Sequence, residues 1–263
     1  LDDTLKIIRI DADSEELDRQ RKPAIGIVGD AAGTLKVLAD RLAVHNRKRN
    51  GRAEQVAEIK AVFNKKIHDL LAPQIAYLEA MRKALPEDGI LVDELTQMGY
   101  AARFAWPTYR PRTFLSPGYQ GTLGWGYATA LGAKIARPDA AVLSISGDGG
   151  FMFTAMEMAT AAQHGIGVVA VVFSDGAFGN VRRIQQQSFN NRTIATELRN
   201  PDFVKLAESF GIDAIRVGSP DELGSAIARG IAKGAPLLID CPVGQFPDPW
   251  PLVTLPPIRP RKA

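Results

Sequence analysis

The chain has 263 residues, of which 46% are hydrophobic and 23% are charged. These proportions are ordinary for a globular protein with a sizeable core, and they exclude a mainly disordered chain. The 32 lysines and arginines nearly balance the 29 aspartates and glutamates, for a net charge of +3. Because nucleic-acid-binding proteins concentrate basic residues in a patch or stripe, this balance disfavours nucleic acid as a partner.

Two absences in the sequence narrow the class of protein further. Cys241 is the single cysteine, which excludes an internal disulfide and a cysteine metal cluster and is typical of a reducing compartment, so we expect a cytoplasmic protein. No apolar run approaches the roughly 20 residues of a membrane helix, so no membrane partner is expected. The chain begins at Leu1 and leads directly into a predicted strand, as a piece of a longer protein would.

The spacing of apolar residues predicts strands that alternate with helices. Pro73 divides two adjacent helices, since proline is well tolerated in the first turn of a helix. A Pro-rich crossing is predicted at 107–117. Strands are predicted at 5–11, 24–28, 90–93, 141–146, 167–173, 213–217 and 236–240. Helices are predicted at 31–45, 53–72, from 73 onward, 95–103, 118–134, 152–163, 201–210 and 220–233.

Several of these strands are apolar throughout, as strands buried on both faces are. The predicted fold is therefore α/β, a doubly wound parallel sheet flanked by helices. In such a sheet, ligands bind beyond the carboxyl ends of the strands.

Two strands end in acidic, glycine-rich turns, at 146–150 (SGDGG) and 174–180 (SDGAFGN). If the strands are neighbours, Asp148 and Asp175 face one crevice, where two carboxylates and backbone carbonyls suit Mg²⁺. The backbone N–H groups of Gly149 and Gly150 suit a phosphate. The alternative is that Gly-Asp-Gly only forms a turn that begins a helix.

The order and spacing of these turns resemble the thiamine diphosphate motif, a Gly-Asp-Gly followed after a similar gap by Asn-Asn. Residues 121–133 (GTLGWGYATALGA) and 200–207 (NPDFVKLA) resemble two further segments of the acetolactate synthase and benzoylformate decarboxylase superfamily. The resemblance covers almost the whole chain. It is specific for the cofactor and the fold, and poorly specific for the substrate.

The resemblance implies roles for individual residues. Asp148, Asp175 and the carbonyl of Ala177 would bind Mg²⁺. Gly121 would accept a hydrogen bond from the aminopyrimidine, and Leu123 would bend the cofactor so that its amino group reaches the thiazolium C2; these two are the predicted catalytic residues. The predicted cofactor-binding residues are Thr96, Gln97, Gly121, Thr122, Leu123, Gly147, Asp148, Gly149, Gly150, Asp175, Ala177, Phe178, Gly179 and Asn180.

The resemblance also implies an organisation and an activity. Residues 1–45 would end the family's middle domain, 46–74 would be a linker and helix, and 75–263 would be the diphosphate-binding domain with a Pro-rich tail. The enzyme would make or break a C–C bond next to a carbonyl, as a 2-oxo acid decarboxylase, a lyase or an acetolactate-synthase-like transferase. The family's activating glutamate lies in a pyrimidine-binding domain, so we expect that segment or subunit as a partner in a homodimer or tetramer.

Departures from the family pattern keep other functions open. Asp175 replaces an Asn and adds negative charge beside an anionic diphosphate, while Asn180 and Ile184 replace a Met and a Trp of acetolactate synthases. A non-catalytic or regulatory cofactor-binding subunit is therefore the alternative. A nicotinamide dehydrogenase is disfavoured because neither glycine-rich segment reads Gly-x-Gly-x-x-Gly after a strand. FAD binding stays open, since most of the middle domain is not in the sequence.

Overall fold

The structure is a computed structural model that describes residues 4–46, 50–118 and 120–253. The predicted basic linker and Pro-rich tail fall partly on residues 47–49 and 254–263, outside the described residues. The chain divides into two compact units, Leu1–Ala57 and Glu58–Ala263. No helix in the described ranges is long and apolar enough to cross a membrane.

The first unit contains two parallel strands and a helix. Strand β1 (Ile8–Asp11) pairs with β2 (Ile25–Val28), and α1 (Ala31–His45) follows directly. Asp30 caps α1, because its carboxylate accepts a hydrogen bond from the N–H of Gly33 at 2.6 Å. The predicted helix bounds are confirmed, and both strands are shorter than predicted.

The second unit is built on a six-stranded sheet in which every pair of neighbours is parallel. The strands are β3 (Ile90–Val92), β4 (Phe114–Leu115), β5 (Val142–Gly147), β6 (Val168–Ser174), β7 (Asp213–Arg216) and β8 (Leu237–Pro242). Their order is β4-β3-β5-β6-β8-β7. The chain leaves β3 toward one edge for β4 and crosses back for β5, so the strand order reverses at β3, where open α/β sheets bind ligands.

Helices cover both faces of this sheet, which confirms the predicted doubly wound fold. The helices are α2 (Ala53–Ala84), α3 (Gln97–Ala105), α4 (Trp125–Ala136), α5 (Asp148–Phe151), α6 (Met158–His164), α7 (Gly179–Ser188), α8 (Phe203–Ser209), α9 (Pro220–Lys233) and α10 (Trp250–Val253). Along β5, Leu143 and Ile145 pack into a core with α3 and α9. Val142 packs into a second core with α4, α6 and α8. This alternation follows from the two-residue period of a strand.

The structure differs from the predicted elements in several places, including the following three. Residue Leu71 leaves the helical conformation (φ −121°, ψ 27°), so α2 is kinked two residues before Pro73. Strand β4 lies within the predicted Pro-rich crossing at 107–117. The sequence did not predict this strand, because it has only two residues, both paired with β3. The helix predicted at 152–163 begins instead as the single turn α5, continues as a 3₁₀ turn at Ala155–Glu157, and ends as α6.

Candidate functional site

The two acidic turns lie side by side at the carboxyl edge of the sheet. Strands β5 and β6 are neighbours, with Gly147 paired to Phe173. Asp148 follows β5 directly and Asp175 follows β6 directly. The prediction that these turns share one edge is therefore confirmed.

Asp148 is fixed by three hydrogen-bond donors. Its Oδ1 accepts from the N–H of Gly149 at 2.8 Å. Its Oδ2 accepts from the N–H of Gly176 at 2.7 Å and from Nδ2 of Asn200 at 2.6 Å. The carboxylate is buried, with 1% of the residue exposed, and these donors link both acidic turns to the segment before α8. Its orientation is thus set before any ligand arrives.

Asp175 is a second acid at the same edge of the sheet, and its surroundings disfavour the ionised carboxylate. Burial raises the pKa of its carboxyl, and the charge of Asp148 raises it further. The N–H of Ala177 donates to Oδ1 at 3.2 Å and Nε2 of Gln97 donates to Oδ2 at 2.7 Å, which lowers the pKa in part. A cation beside both carboxylates would relieve their repulsion, because opposite charge favours the ionised form.

The chemistry of these donors fits Mg²⁺, which binds proteins through one or two carboxylates and keeps several other oxygen ligands. No group of three or more His, Cys, Asp or Glu side chains in the described part of the chain could hold a metal. A cation here would complete its shell with backbone carbonyls, water and oxygens of a ligand. Ala177, the predicted carbonyl ligand, lies in an isolated antiparallel bridge with Glu197.

Gln97 joins this edge to a distant part of the chain. Besides its bond to Asp175, its Oε1 accepts from the N–H of Phe246 at 2.8 Å. Its Nε2 also lies 3.4 Å from the carbonyl of Gly244. The neighbouring Thr96 is buried, and its Oγ1 lies 3.5 Å from the position that a Cβ on Gly147 would take. The structure thus brings both residues to the predicted site.

The loop before α4 depends on two glycines in the left-handed region. Gly121 has φ +58° and Gly124 has φ +82°. A Cβ on Gly124 would lie 2.8 Å from Cβ of Phe153, so a side chain there would be both strained and crowded. Between them, Thr122 is exposed and Leu123 is half-buried. The predicted catalytic pair therefore lies on a short loop whose backbone conformation favours glycine at 121 and 124.

Sequence reasoning missed the buried carboxylate that holds this loop. Glu94 follows β3 and is fully buried. Its Oε1 accepts from the N–H of Gly124 at 2.8 Å, and its Oε2 accepts from the N–H of Gly126 at 3.1 Å and from Oγ of Ser146 at 2.9 Å. Burial raises the pKa of Glu94 and the three bonds lower it in part. The available signal was the acidic pair that follows an entirely apolar strand.

Asp93, the other member of that pair, is also buried, and burial raises its pKa to about 6. Hydrogen bonding to Ser116 and the charge of Arg103, whose Nε lies 3.5 Å from Oδ2, offset part of this rise. Its Oδ1 has no hydrogen-bond partner among the residues that the structure describes. The end of β3 therefore carries two buried acids in succession, at the point where the strand order reverses.

The comparison with protein families identifies this arrangement. Residues 95–241 match the family described as "Thiamine pyrophosphate enzyme, C-terminal TPP binding domain". The match spans more than half of the chain and contains both acidic turns and the glycine loop. The chain belongs to this thiamine pyrophosphate enzyme family. The predicted family and the predicted cofactor, thiamine pyrophosphate (thiamine diphosphate), are confirmed.

Curated relatives of this thiamine pyrophosphate domain include enzymes of two kinds. The chain is 35% identical over 250 residues to a probable acetolactate synthase large subunit of Methanocaldococcus jannaschii. This match covers 89% of the present chain and 42% of the relative. It is 30% identical over 236 residues to a probable 2-ketoarginine decarboxylase of Pseudomonas aeruginosa, with the same shares covered. The chain thus spans less than half the length of these relatives.

A solved structure has the same fold. The thiamine diphosphate-dependent 4-hydroxybenzoylformate decarboxylase of Rhodococcus jostii superposes with a TM-score of 0.72 at 23% identity, over 93% of this chain and 44% of that one. This likeness extends through nearly all of the chain, and it establishes the fold of the thiamine pyrophosphate domain.

The packing of this domain explains why the two residues after Asp148 are glycines. They lie within the single turn α5, whereas the sequence placed them before a long helix. A Cβ on Gly149 would lie 2.5 Å from the ring of Phe178, and one on Gly150 would lie 2.0 Å from Oε1 of Glu94. Beside Gly149 and Phe178 lies a cavity of about 270 Å³ that Asn200 also lines. Both positions therefore exclude any side chain.

The last predicted residues begin α7. Phe178 precedes the helix, and its N–H donates to the carbonyl of Thr196 at 2.8 Å. Gly179 is the first helical residue, and Oδ1 of Asn180 accepts from the guanidinium of Arg183 at 3.1 Å. The helix has no buried residue, and most of its side chains are polar, so the spacing of apolar residues did not predict it. The predicted site residues Gly179 and Asn180 therefore lie at the start of a helix that only the structure locates.

Proposed function

We propose that this chain is the diphosphate- and magnesium-binding part of a thiamine-diphosphate-dependent enzyme that makes or breaks C–C bonds next to a carbonyl. The substrate class is a 2-oxo acid or a similar small carbonyl compound. The observation that carries the proposal is the pairing of Asp148 and Asp175 on adjacent strand ends within the matched domain. Acetolactate synthases and 2-oxo acid decarboxylases among its relatives support the reaction class.

In this proposal two groups of residues bind the two ends of the cofactor. Asp148, Asp175 and the carbonyl of Ala177 hold Mg²⁺, which binds the diphosphate. Gly121 and Leu123 orient the aminopyrimidine end. Bound thiamine diphosphate supplies a thiazolium ring that stabilises a carbanion. The residues that complete the diphosphate end are Thr96, Gln97, Gly147, Gly149, Gly150, Phe178, Gly179 and Asn180, with Thr122 beside the aminopyrimidine.

The proposed assembly extends beyond this chain. Residues 1–45 are the end of a middle domain, 46–74 are a linker and helix, and 75–263 are the diphosphate-binding domain. A pyrimidine-binding segment or subunit supplies the activating glutamate, and the complete enzyme is a homodimer or tetramer. We place the enzyme in the cytoplasm, because the single cysteine suits a reducing compartment.

The experiment is a calorimetric titration of the complete native protein with thiamine diphosphate, with and without Mg²⁺. We expect Mg²⁺-dependent binding that weakens at least tenfold in Asp148→Asn, because the amide removes the charge that attracts the cation. Asp139→Asn is the matched control, since Asp139 is an exposed aspartate. Binding that is equally strong in Asp148→Asn and wild type would contradict the proposed metal site.

Asp175 supports a second candidate, a regulatory or non-catalytic cofactor-binding subunit. Its carboxylate adds a charge where the family has an amide, and its pKa is already raised, first by burial and then by the charge of the nearby Asp148. The two candidates differ in turnover. Mg²⁺-dependent binding without consumption of any compound in a 2-oxo acid panel would favour the regulatory role, whereas release of CO₂ or formation of a new C–C bond would favour the enzyme.

A further inference from the structure

Glu94 caps a helix that belongs to a different part of the chain. The first N–H groups of any helix lack partners within it, and a nearby side chain usually satisfies them. In α4 the capping position is Gly124, which has no side chain to do so. Glu94 takes over this role from the end of β3, with one carboxylate oxygen on Gly124 N–H and the other on Gly126 N–H. Its negative charge also suits the positive end of the helix dipole.

The same carboxylate determines how closely three elements approach. A Cβ on Gly126 would lie 2.8 Å from Oε2 of Glu94, and one on Gly150 would lie 2.0 Å from Oε1. Ser146, in the last part of β5, donates its hydroxyl proton to Oε2. One buried side chain therefore contacts the start of α4, the end of β5 and the turn that follows Asp148.

The loop that α4 follows needs such an anchor. Gly121 and Gly124 both have positive φ, and glycine loses more conformational freedom on ordering than any other residue. The loop's other anchor is Thr154, whose hydroxyl donates to the carbonyl of Gly124 at 3.0 Å. Glu94 fixes the N–H side of the same glycine.

We infer that Glu94 is a positioning residue that holds the loop 121–124 in register with the turn 147–150. It thereby aligns the site for the aminopyrimidine end of the cofactor with the site for its diphosphate end. The inference rests on the proposed function. Glu94 acts through the glycine loop and the hydroxyl of Ser146, and its own carboxylate oxygens are occupied by these donors.

The test compares two ligands that differ in whether they need the loop. Inorganic diphosphate with Mg²⁺ occupies only the diphosphate end, whereas thiamine diphosphate with Mg²⁺ needs both ends. Glu94→Gln keeps nearly the same side-chain volume next to Gly150. The amide, however, has a single acceptor oxygen, whereas the carboxylate offers one oxygen to each of the N–H groups of Gly124 and Gly126. In the complete native protein we expect it to weaken thiamine diphosphate binding about tenfold, the loss of one bond to a charged group, and diphosphate binding less than twofold.

Amide hydrogen exchange reports directly on the capping hydrogen bonds. We expect amide exchange in residues 121–128 to be about tenfold faster in Glu94→Gln, with unchanged exchange in β6 and β8. Ser146→Ala removes one of the three bonds and should shift both readouts in the same direction by less, which covers the case that Glu94→Gln does not fold. Glu157→Gln is the control, a half-buried glutamate that accepts a bond from Thr160 in its own segment.

The outcomes separate the two proposals. If the wild-type protein binds neither ligand, the proposed function fails and this inference fails with it. If it binds both, and Glu94→Gln and Ser146→Ala bind thiamine diphosphate as wild type does, the proposed function stands and the positioning role of Glu94 is overturned. Equal weakening of both ligands with faster exchange throughout the domain would also overturn it, because that pattern indicates a merely structural role.

Discussion

The buried acid Asp93 makes a quantitative prediction about stability and pH. Its pKa is raised from 3.8 to about 6, first by burial. Between these values the folded protein keeps a proton that the unfolded chain releases, so the contribution of this group to stability falls as the pH rises from about 4 to about 6. At 1.36 kcal/mol per pH unit, this interval corresponds to about 3 kcal/mol.

Asp93→Asn removes that pH dependence. The amide has nearly the same volume and cannot ionise, so the free-energy cost of changing the contact with Arg103 in the variant is the same at pH 4 and at pH 7. We expect the free energy of unfolding of the variant, relative to wild type, to rise by about 2 kcal/mol between pH 4 and pH 7, because the unfolded aspartate is already partly ionised at pH 4. Because Asp93 is fully buried, solvent does not reduce this figure as it does for a surface group.

The assay is urea unfolding at half-unit intervals of pH, followed by the fluorescence of the three tryptophans, of which Trp106 is buried. Asp139→Asn is the control, and its stability curve should run parallel to that of the wild type. A carbon NMR titration of labelled aspartate gives the pKa of Asp93 independently. Parallel pH curves for wild type and Asp93→Asn, or a measured pKa near 4, would refute the reasoning from burial.

Two further predictions concern packing and charge. Gly124→Ala should lower the free energy of unfolding by about 2 kcal/mol, because it places a Cβ at a residue with positive φ and in a close contact. Gly132→Ala is the control and should be neutral or slightly stabilising in the same urea titration, because a Cβ there would lie more than 4 Å from other described parts of the chain outside its own helix. Arg216→Met should lower the free energy of unfolding by about 1–2 kcal/mol, because it removes the guanidinium whose Nε lies 2.8 Å from Oδ2 of the buried Asp240. The measurement is thermal unfolding, and an unchanged melting temperature would contradict this prediction.

The sequence by itself determined most of the sheet and one half of the candidate site. Strands β5, β6 and β8 are mostly apolar, and mostly apolar strands are typical of a parallel sheet that is covered on both faces. The acidic turns were readable because Asp148 and Asp175 each follow such a run directly. Their shared edge then follows from the geometry of parallel strands, and the bounds of α1 and α9 follow from local caps at Asp30 and Ser219.

Tertiary structure alone decided the contacts between distant residues. Asn200 reaches Asp148 across 52 positions, and Gln97 reaches Asp175 across 78. Glu94 caps a helix whose capping position, Gly124, lies 30 residues later. A capping residue normally precedes its own helix, so a cap supplied from another strand leaves no local pattern in the sequence. Long-range hydrogen bonds of this kind depend on where the sheet places the chain, and that placement is a property of the whole fold.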